Sequence, residues 1–390
     1  MHLLGAALAH ALTSGAVLSA QAAPPASPTI TRADLAARYL FMDVRYAEAD
    51  SLGRISDSVR VYVNKTFDRS TLSFFGGRFA VTAAIMDSAM AALGPSGLII
   101  RPVPSTLING ERASVVRARL QQQLAAVDST GPLARAVVAA NARLRLLVDT
   151  ISPERSAEFL SKPADLAAAV TREIAMLAKG QNPYAKATGD RWTAYRGVGG
   201  DVVPMRIMAP PAAATKPVGV LIALHGAGGD ENMFPMSYGR GIAARLAFEA
   251  GLLFVSPATT AFMKSPEQFD SLMTALRADY RIDASRVYVM GHSMGAGAAA
   301  RLAQQRPREL AAVACLAGGA AVTVAGAPPM LFIGASLDPI IPARTVQAAA
   351  AGTPGSLYEE RPNEGHTLMV RGAVQRAVPW LLQHRRADVK

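Results

Sequence analysis

The stretch Arg286-Val287-Tyr288-Val289-Met290-Gly291-His292-Ser293-Met294-Gly295 decides how the rest of this 390-residue chain is read. An apolar run of strand-forming residues meets Gly-x-Ser-x-Gly, and an Ala-rich stretch of helical character follows from Ala296 to Gln305. Strand, tight turn and helix in that order make the nucleophile-elbow pattern. A serine there sits on a strained turn, and the flanking glycines let the backbone pass close to it. The helix amides beneath it favour negative charge developing nearby. Gly-x-Ser-x-Gly alone also fits an ordinary strand–loop–helix corner. Its surroundings favour chemistry.

Working outward, residues 191–196 and 202–208 read as two strands joined by a hairpin. Apolar strands at 218–224, 252–256, 287–290, 312–316, 330–334 and 357–360 then alternate with helical patterns near 241–249, 267–279, 344–351 and 368–382. Uniformly apolar strands alternating with helices predict an α/β fold with a mostly parallel sheet covered on both faces. The opening hairpin supplies an antiparallel edge.

An activated serine needs a base, an orienting acid and an oxyanion hole. Of six histidines, His2 and His10 lie in an N-terminal leader and His384 beside Arg385-Arg386 at a polar terminus. His292 adjoins Ser293, where neighbouring side chains diverge, and His225 belongs to another motif. His366, in Asn363-Glu364-Gly365-His366-Thr367 between the last strand and the last helix, remains as the base. Asp338, in Leu337-Asp338-Pro339 after a strand, is the candidate acid, although a turn aspartate before proline is a common arrangement. Glu359, Glu360 and Glu364 are its rivals. The loop Leu224-His225-Gly226-Ala227-Gly228-Gly229-Asp230-Glu231 suits an oxyanion hole, with Ala227 and Met294 as the N–H donors. It carries neither a dinucleotide fingerprint nor Gly-Lys-Ser/Thr, which speaks against phosphate binding. Asn232, Met233 and Phe234 follow as candidate substrate-pocket residues.

The ordered set at 224–231, 285–295, the Asp338 loop and Gly365-His366 resembles the α/β-hydrolase superfamily of serine esterases. The likeness extends to carboxylesterase/phospholipase-type and polyhydroxybutyrate-depolymerase-like enzymes and to the hydrolase domain of prolyl oligopeptidases. It covers residues 190–390, about half the chain. The resemblance implies an α/β-hydrolase fold, a Ser293/Asp338/His366 triad in that chain order, and ester hydrolysis without metal or cofactor. A serine peptidase of the prolyl-oligopeptidase type is the alternative enzyme, though nothing before residue 190 resembles that family's propeller. A non-catalytic binding or scaffold protein is the alternative outside enzymes.

The chain before the catalytic half reads mainly as helix, with one-face spacings at Leu133, Val137, Ala140, Leu144 and at Leu166, Val170, Ile174, Leu177. Residues 98–103, between Gly97 and Pro104, read as an isolated strand. At 51% hydrophobic and 18% charged, the chain affords a sizeable core. The net charge of +11 is spread over both halves without a basic block, so no nucleic-acid partner is expected. From Leu3 to Ala20 the chain is apolar and uncharged, and Ala20-Gln21-Ala22 has the small-x-small form of a cleavage site. No Lys or Arg precedes this run, which leaves an uncleaved anchor as the alternative. The expected organisation is a signal peptide at 1–22, a mainly helical N-terminal domain at 23–186 and a catalytic domain at 187–390. The protein is then periplasmic or secreted, keeps no stable membrane span after cleavage, and acts on a small-molecule or polymeric ester. Its only cysteine, Cys315, sits in an apolar run and reads as a core residue.

Overall fold

The computed structural model describes residues 30, 32–95, 107–150 and 161–387. The leader and the expected strand at 98–103 lie outside them. Helices α1 (Arg32–Ser51), α2 (Asp57–Phe75) and α3 (Phe79–Ala92) come first. Ser56 caps α2 by accepting the Val59 N–H, and Gly77, at φ 70°, takes the left-handed turn beyond its end. A short hairpin, β1 (Leu107–Ile108) and β2 (Glu111–Arg112), leads into α4 (Ala113–Ala125), α5 (Ala134–Leu144) and α6 (Pro163–Ala178).

The second half opens with β3 (Gly189–Arg196), β4 (Val202–Ala209) and β5 (Val218–Leu224). Then come α7 (Met233–Met236), α8 (Tyr238–Glu249), β6 (Leu253–Pro257), α9 (Thr259–Lys264), α10 (Gln268–Asp279) and β7 (Ile282–His292). The chain continues through α11 (Met294–Gln305), β8 (Ala312–Leu316), β9 (Met330–Ala335), α12 (Ala343–Ala351), β10 (Leu357–Arg361) and α13 (Val370–Leu381). Eight strands form one sheet in the order β10-β9-β8-β7-β5-β6-β4-β3. The pairs from β10 to β6 are parallel, and β4 runs antiparallel to both β6 and β3. The mostly parallel sheet with an antiparallel hairpin at one edge is as the sequence predicts.

Strand β5 shows why these segments read as unbroken apolar runs. Val220, Ile222 and Leu224 face the cluster that includes Leu272 and Ala299 of α10 and α11. Leu221 and Ala223 face the opposite cluster, with Ile242 of α8 and Val374 of α13. Both faces are dry, so the strand has no polar side. Cys315 is buried in the first of these layers, where burial pushes its thiol up to about 12.

The helical region expected at 23–186 comprises, among the described residues, two groups with separate cores. Helices α4 to α6 pack around Val116, Leu120, Leu144, Val170 and Ile174. They rest on the hairpin edge, where the Arg143 guanidinium donates to the Trp192 carbonyl at 2.7 Å. Helices α1 to α3 pack around Met42, Val63, Phe67 and Met86, and that cluster also takes in Leu368. Helical periodicity announces an apolar face but not what will cover it, so the division is invisible in the spacing.

Helices α1 to α3 are tied to the sheet half by polar contacts. The Asp43 carboxylate accepts the Gly239 N–H at 2.9 Å. It serves a turn in which Gly239, Arg240 and Gly241 all have positive φ, so regular helix in α8 begins only after them. Burial raises Asp43 to about 6. Asp50 pairs with Arg60 at 2.7 Å and also with Arg371, and Arg60 lies 3.5 Å from Glu364.

Candidate active site

Strand β7 delivers Ser293 onto a turn with φ 55° and ψ −117°, a conformation that is costly for a residue with a side chain. The flanking glycines are demanded by close approach. A Cβ on Gly291 would lie 2.0 Å from the Gly295 carbonyl oxygen, and one on Gly295 would lie 1.9 Å from that of Leu224. Helix α11 can start against β5 only because both side chains are missing. Met294 is its first residue, so the Met294 N–H is one of the amides a helix leaves without an internal acceptor.

His366 lies on the loop between β10 and α13. Its Nε2 is 2.9 Å from Ser293 Oγ and its Nδ1 is 2.7 Å from Asp338 Oδ2. Asp338 follows β9 with a fully buried side chain, and its Oδ1 accepts the N–H groups of Ile340 and Ile341 at 2.8 and 2.9 Å. It is both a turn aspartate and the imidazole's partner. Its rivals are engaged elsewhere: Glu359 with Arg376, Glu360 with the Tyr358 hydroxyl, and Glu364 with Arg361.

Two further histidines brace this arrangement. His225 Nε2 accepts the Thr259 N–H at 3.0 Å, which leaves Nδ1–H to donate to the Gly226 carbonyl at 2.8 Å. His292 Nε2–H donates to the His366 carbonyl at 2.9 Å, so its Nδ1 accepts from the Tyr238 hydroxyl at 2.6 Å. Tyr238 in turn accepts the Gly226 N–H at 3.3 Å. One chain of bonds therefore joins the loop after β5, the elbow and the His366 loop. Burial lowers His225 and drives His292 well below the ordinary range, so His292 is held neutral.

A cavity of about 550 Å³ opens onto Ser293 and His366. Ala227, Asn232 and Met233 line one side. The Ala227 N–H has no backbone acceptor among the described residues. Phe234 is a correction: it is buried in the core, edge-on to Tyr238 at 4.8 Å, and does not line the cavity. The two rings meet from either side of the non-helical Ser237, and both are buried. The opposite wall comes from the N-terminal helices, through Leu35, Tyr39, Phe74, Phe75 and Met86. Among the described residues, no cluster of His, Cys, Asp or Glu could hold a metal ion, and no helix is long and apolar enough to cross a membrane.

Residues 258–371 match the family model described as Serine aminopeptidase, S33, and that span contains Ser293, Asp338 and His366. Together with the strand order and the serine turn after β7, this decides the fold. The sheet half has the α/β-hydrolase fold. Relatives of this chain include Cutinase 1 of Thermobifida cellulosilytica, 49% identical over 70 residues that make up 17% of this chain and 25% of that protein. NocK of Nocardia uniformis subsp. tsuyamanensis, which carries the name of an esterase, is 30% identical over 177 residues, 40% of this chain. The chain spans 51% of NocK's length. Est1E from Butyrivibrio proteoclasticus superposes with a TM-score of 0.41 at 11% identity, over 50% of this chain and 98% of that one.

Two residues beside this site carry no motif. Asn64 and Asp68 of α2 reach the backbone of Gly365 and His366. Their one trace in the sequence is a polar pair at i, i+4 on the helix face that also carries Val63 and Phe67.

Proposed function

We propose that this chain is an exported serine hydrolase that cleaves carboxylic esters through an acyl-enzyme intermediate. The observation that carries the reading is the line from Asp338 through His366 to Ser293, at 2.7 and 2.9 Å. In this scheme His366 Nε2 takes the Ser293 proton as Oγ attacks the ester carbonyl. Asp338 holds Nδ1–H, which fixes the tautomer and stabilises the imidazolium as it forms. The N–H groups of Ala227 and Met294 receive the oxyanion. His366 returns its proton to the departing alcohol, leaving the acyl group on Ser293. A water deprotonated by His366 then releases the acid and restores the serine. The scheme needs no metal or cofactor.

The apolar wall of Leu35, Tyr39, Phe74, Phe75 and Met86 supports an apolar acyl or alcohol group, small or part of a polymer. The likeness to cutinases and to a protein named as an esterase supports ester over amide. A peptidase reading draws on the S33 family match. Turnover of p-nitrophenyl acyl esters against aminoacyl amides separates the two. Labelling by a fluorophosphonate probe, lost in Ser293→Ala, tests the nucleophile; labelling that survives the substitution refutes it. Export rests on the apolar run and small-x-small site at 1–22, and mass spectrometry of the native protein tests for a start near Ala23.

A further inference from the structure

Helix α2 reaches the active-site histidine through the main chain. Asn64 and Asp68 stand one turn apart on one face, and both are fully buried. Asn64 Oδ1 accepts the Gly365 N–H at 2.8 Å, and Asp68 Oδ2 accepts the His366 N–H at 2.8 Å. The orientation of the Asn64 amide is fixed, because its nitrogen donates to the Tyr46 hydroxyl and the Arg60 carbonyl at 3.1 and 2.9 Å. Gly365 lets the helix come this near, since a Cβ there would lie 2.1 Å from Asp68 Oδ2.

The other side of the same residue is held as well, because the His366 carbonyl accepts from His292. His366 is thus gripped at its N–H by one half of the chain and at its C=O by the other. An imidazole that must span Asp338 and Ser293 has two side-chain torsions to adjust, so its reach depends on where its Cα is pinned.

Resting on the reading of His366 as the base, we infer that Asn64 and Asp68 are positioning residues. They hold the Gly365–His366 backbone so that the ring bridges acid and nucleophile, and they make α1 to α3 a working part of the active site. The role asks for an acceptor oxygen and not for a charge. Burial raises Asp68 to about 7, and its Oδ1 has no partner among the described residues. An asparagine side chain offers the same acceptor.

The test compares Asp68→Ala, Asp68→Asn and Asn64→Ser in the full mature chain, on a short p-nitrophenyl ester, with Ser293→Ala alongside. Asp68→Ala is expected to lower kcat by about 10²-fold with KM within about twofold, while Asp68→Asn keeps kcat within about fivefold of the parent. Fluorophosphonate labelling of Ser293 should slow in step with kcat. If Asp68→Ala fails to fold, Asn64→Ser, whose hydroxyl is too short to reach the Gly365 amide, carries the same expectation. Unchanged kcat in a folded Asp68→Ala, a loss confined to KM, or an Asp68→Asn as impaired as the alanine variant each overturns the role. Any of these beside an inactive Ser293→Ala leaves the triad standing, whereas an active Ser293→Ala overturns both readings.

Discussion

His292 Nε2 lies 2.9 Å from the carbonyl oxygen of His366, so the residue before the serine holds the backbone of the residue that faces it. That bond needs a proton on Nε2, the Tyr238 bond needs Nδ1 without one, and burial favours this neutral form. Its folded pKa is depressed, so below the ordinary histidine value of about 6.5 the unfolded chain binds a proton that the native state does not. Stability from this group is present above that pH and falls as pH drops, by up to about 1.4 kcal/mol per unit. His225 acts in the same direction. His292→Phe should flatten the acid side of the stability curve. It should also cost about 3 kcal/mol near neutrality, because the Tyr238 hydroxyl and the His366 carbonyl lose their partner. Urea unfolding at about pH 5 and about pH 8 checks both effects.

Asp338→Asn and Glu364→Gln separate two carboxylates that sequence alone leaves in competition. The first should lose about 10⁴ in kcat with little change in melting temperature, because the amide favours the wrong imidazole tautomer. The second weakens the bonds of a buried carboxylate to the partly exposed Arg361 and should destabilise by about 1–2 kcal/mol, with a much smaller loss of kcat. Steady-state kinetics and thermal melts on both variants decide the assignment. The opposite pattern would make Glu364 the acid.

Gly365→Ala adds one methyl where Asp68 Oδ2 already stands, 2.1 Å away. Either α2 or the His366 loop must retreat. A retreat of about 1 Å is enough to cost about 10² in kcat. Unchanged kcat would show that the loop does not need the helix so near.

Phe74→Ala and Phe75→Ala remove apolar surface from the cavity wall while leaving Ser293, His366 and Asp338 untouched. Kinetics on a series of p-nitrophenyl esters should show KM rising for long acyl chains by about tenfold or less per ring, with short esters little affected. An equal loss on every ester would place the acyl chain elsewhere.

Some of this site is legible from residues alone and some is not. Gly291 and Gly295 advertise the serine turn because close backbone approach forbids any other residue there. Asp338 and His366 are found by chain order, since strand-end loops converge on one edge of a parallel sheet. Phe234 misleads, because an aromatic beside a glycine-rich loop suits a pocket until its partner Tyr238 is seen turning it inward. Asn64 and Asp68 stay hidden for another reason. Their partners are main-chain amides, which every residue but proline carries, so nothing at Gly365 or His366 announces them. Phe74 and Phe75 carry no motif either, and only the fold brings them to the wall of the cavity that holds Ser293.

The bond from Asn64 to Gly365 spans 301 positions, and that from Asp68 to His366 spans 298. Contacts so distant in the chain close late, after the local helices and the sheet they join have formed. During synthesis α2 emerges early, and its two acceptors must wait until the loop after β10 appears. A ribosome-bound chain, or one cut short after β10, carries the elbow and the acid but no histidine loop for α2 to grip. The pinning of the His366 backbone is the last feature this chain completes. Heat or denaturant that loosens the meeting of its two ends would free His366 while the sheet still stands.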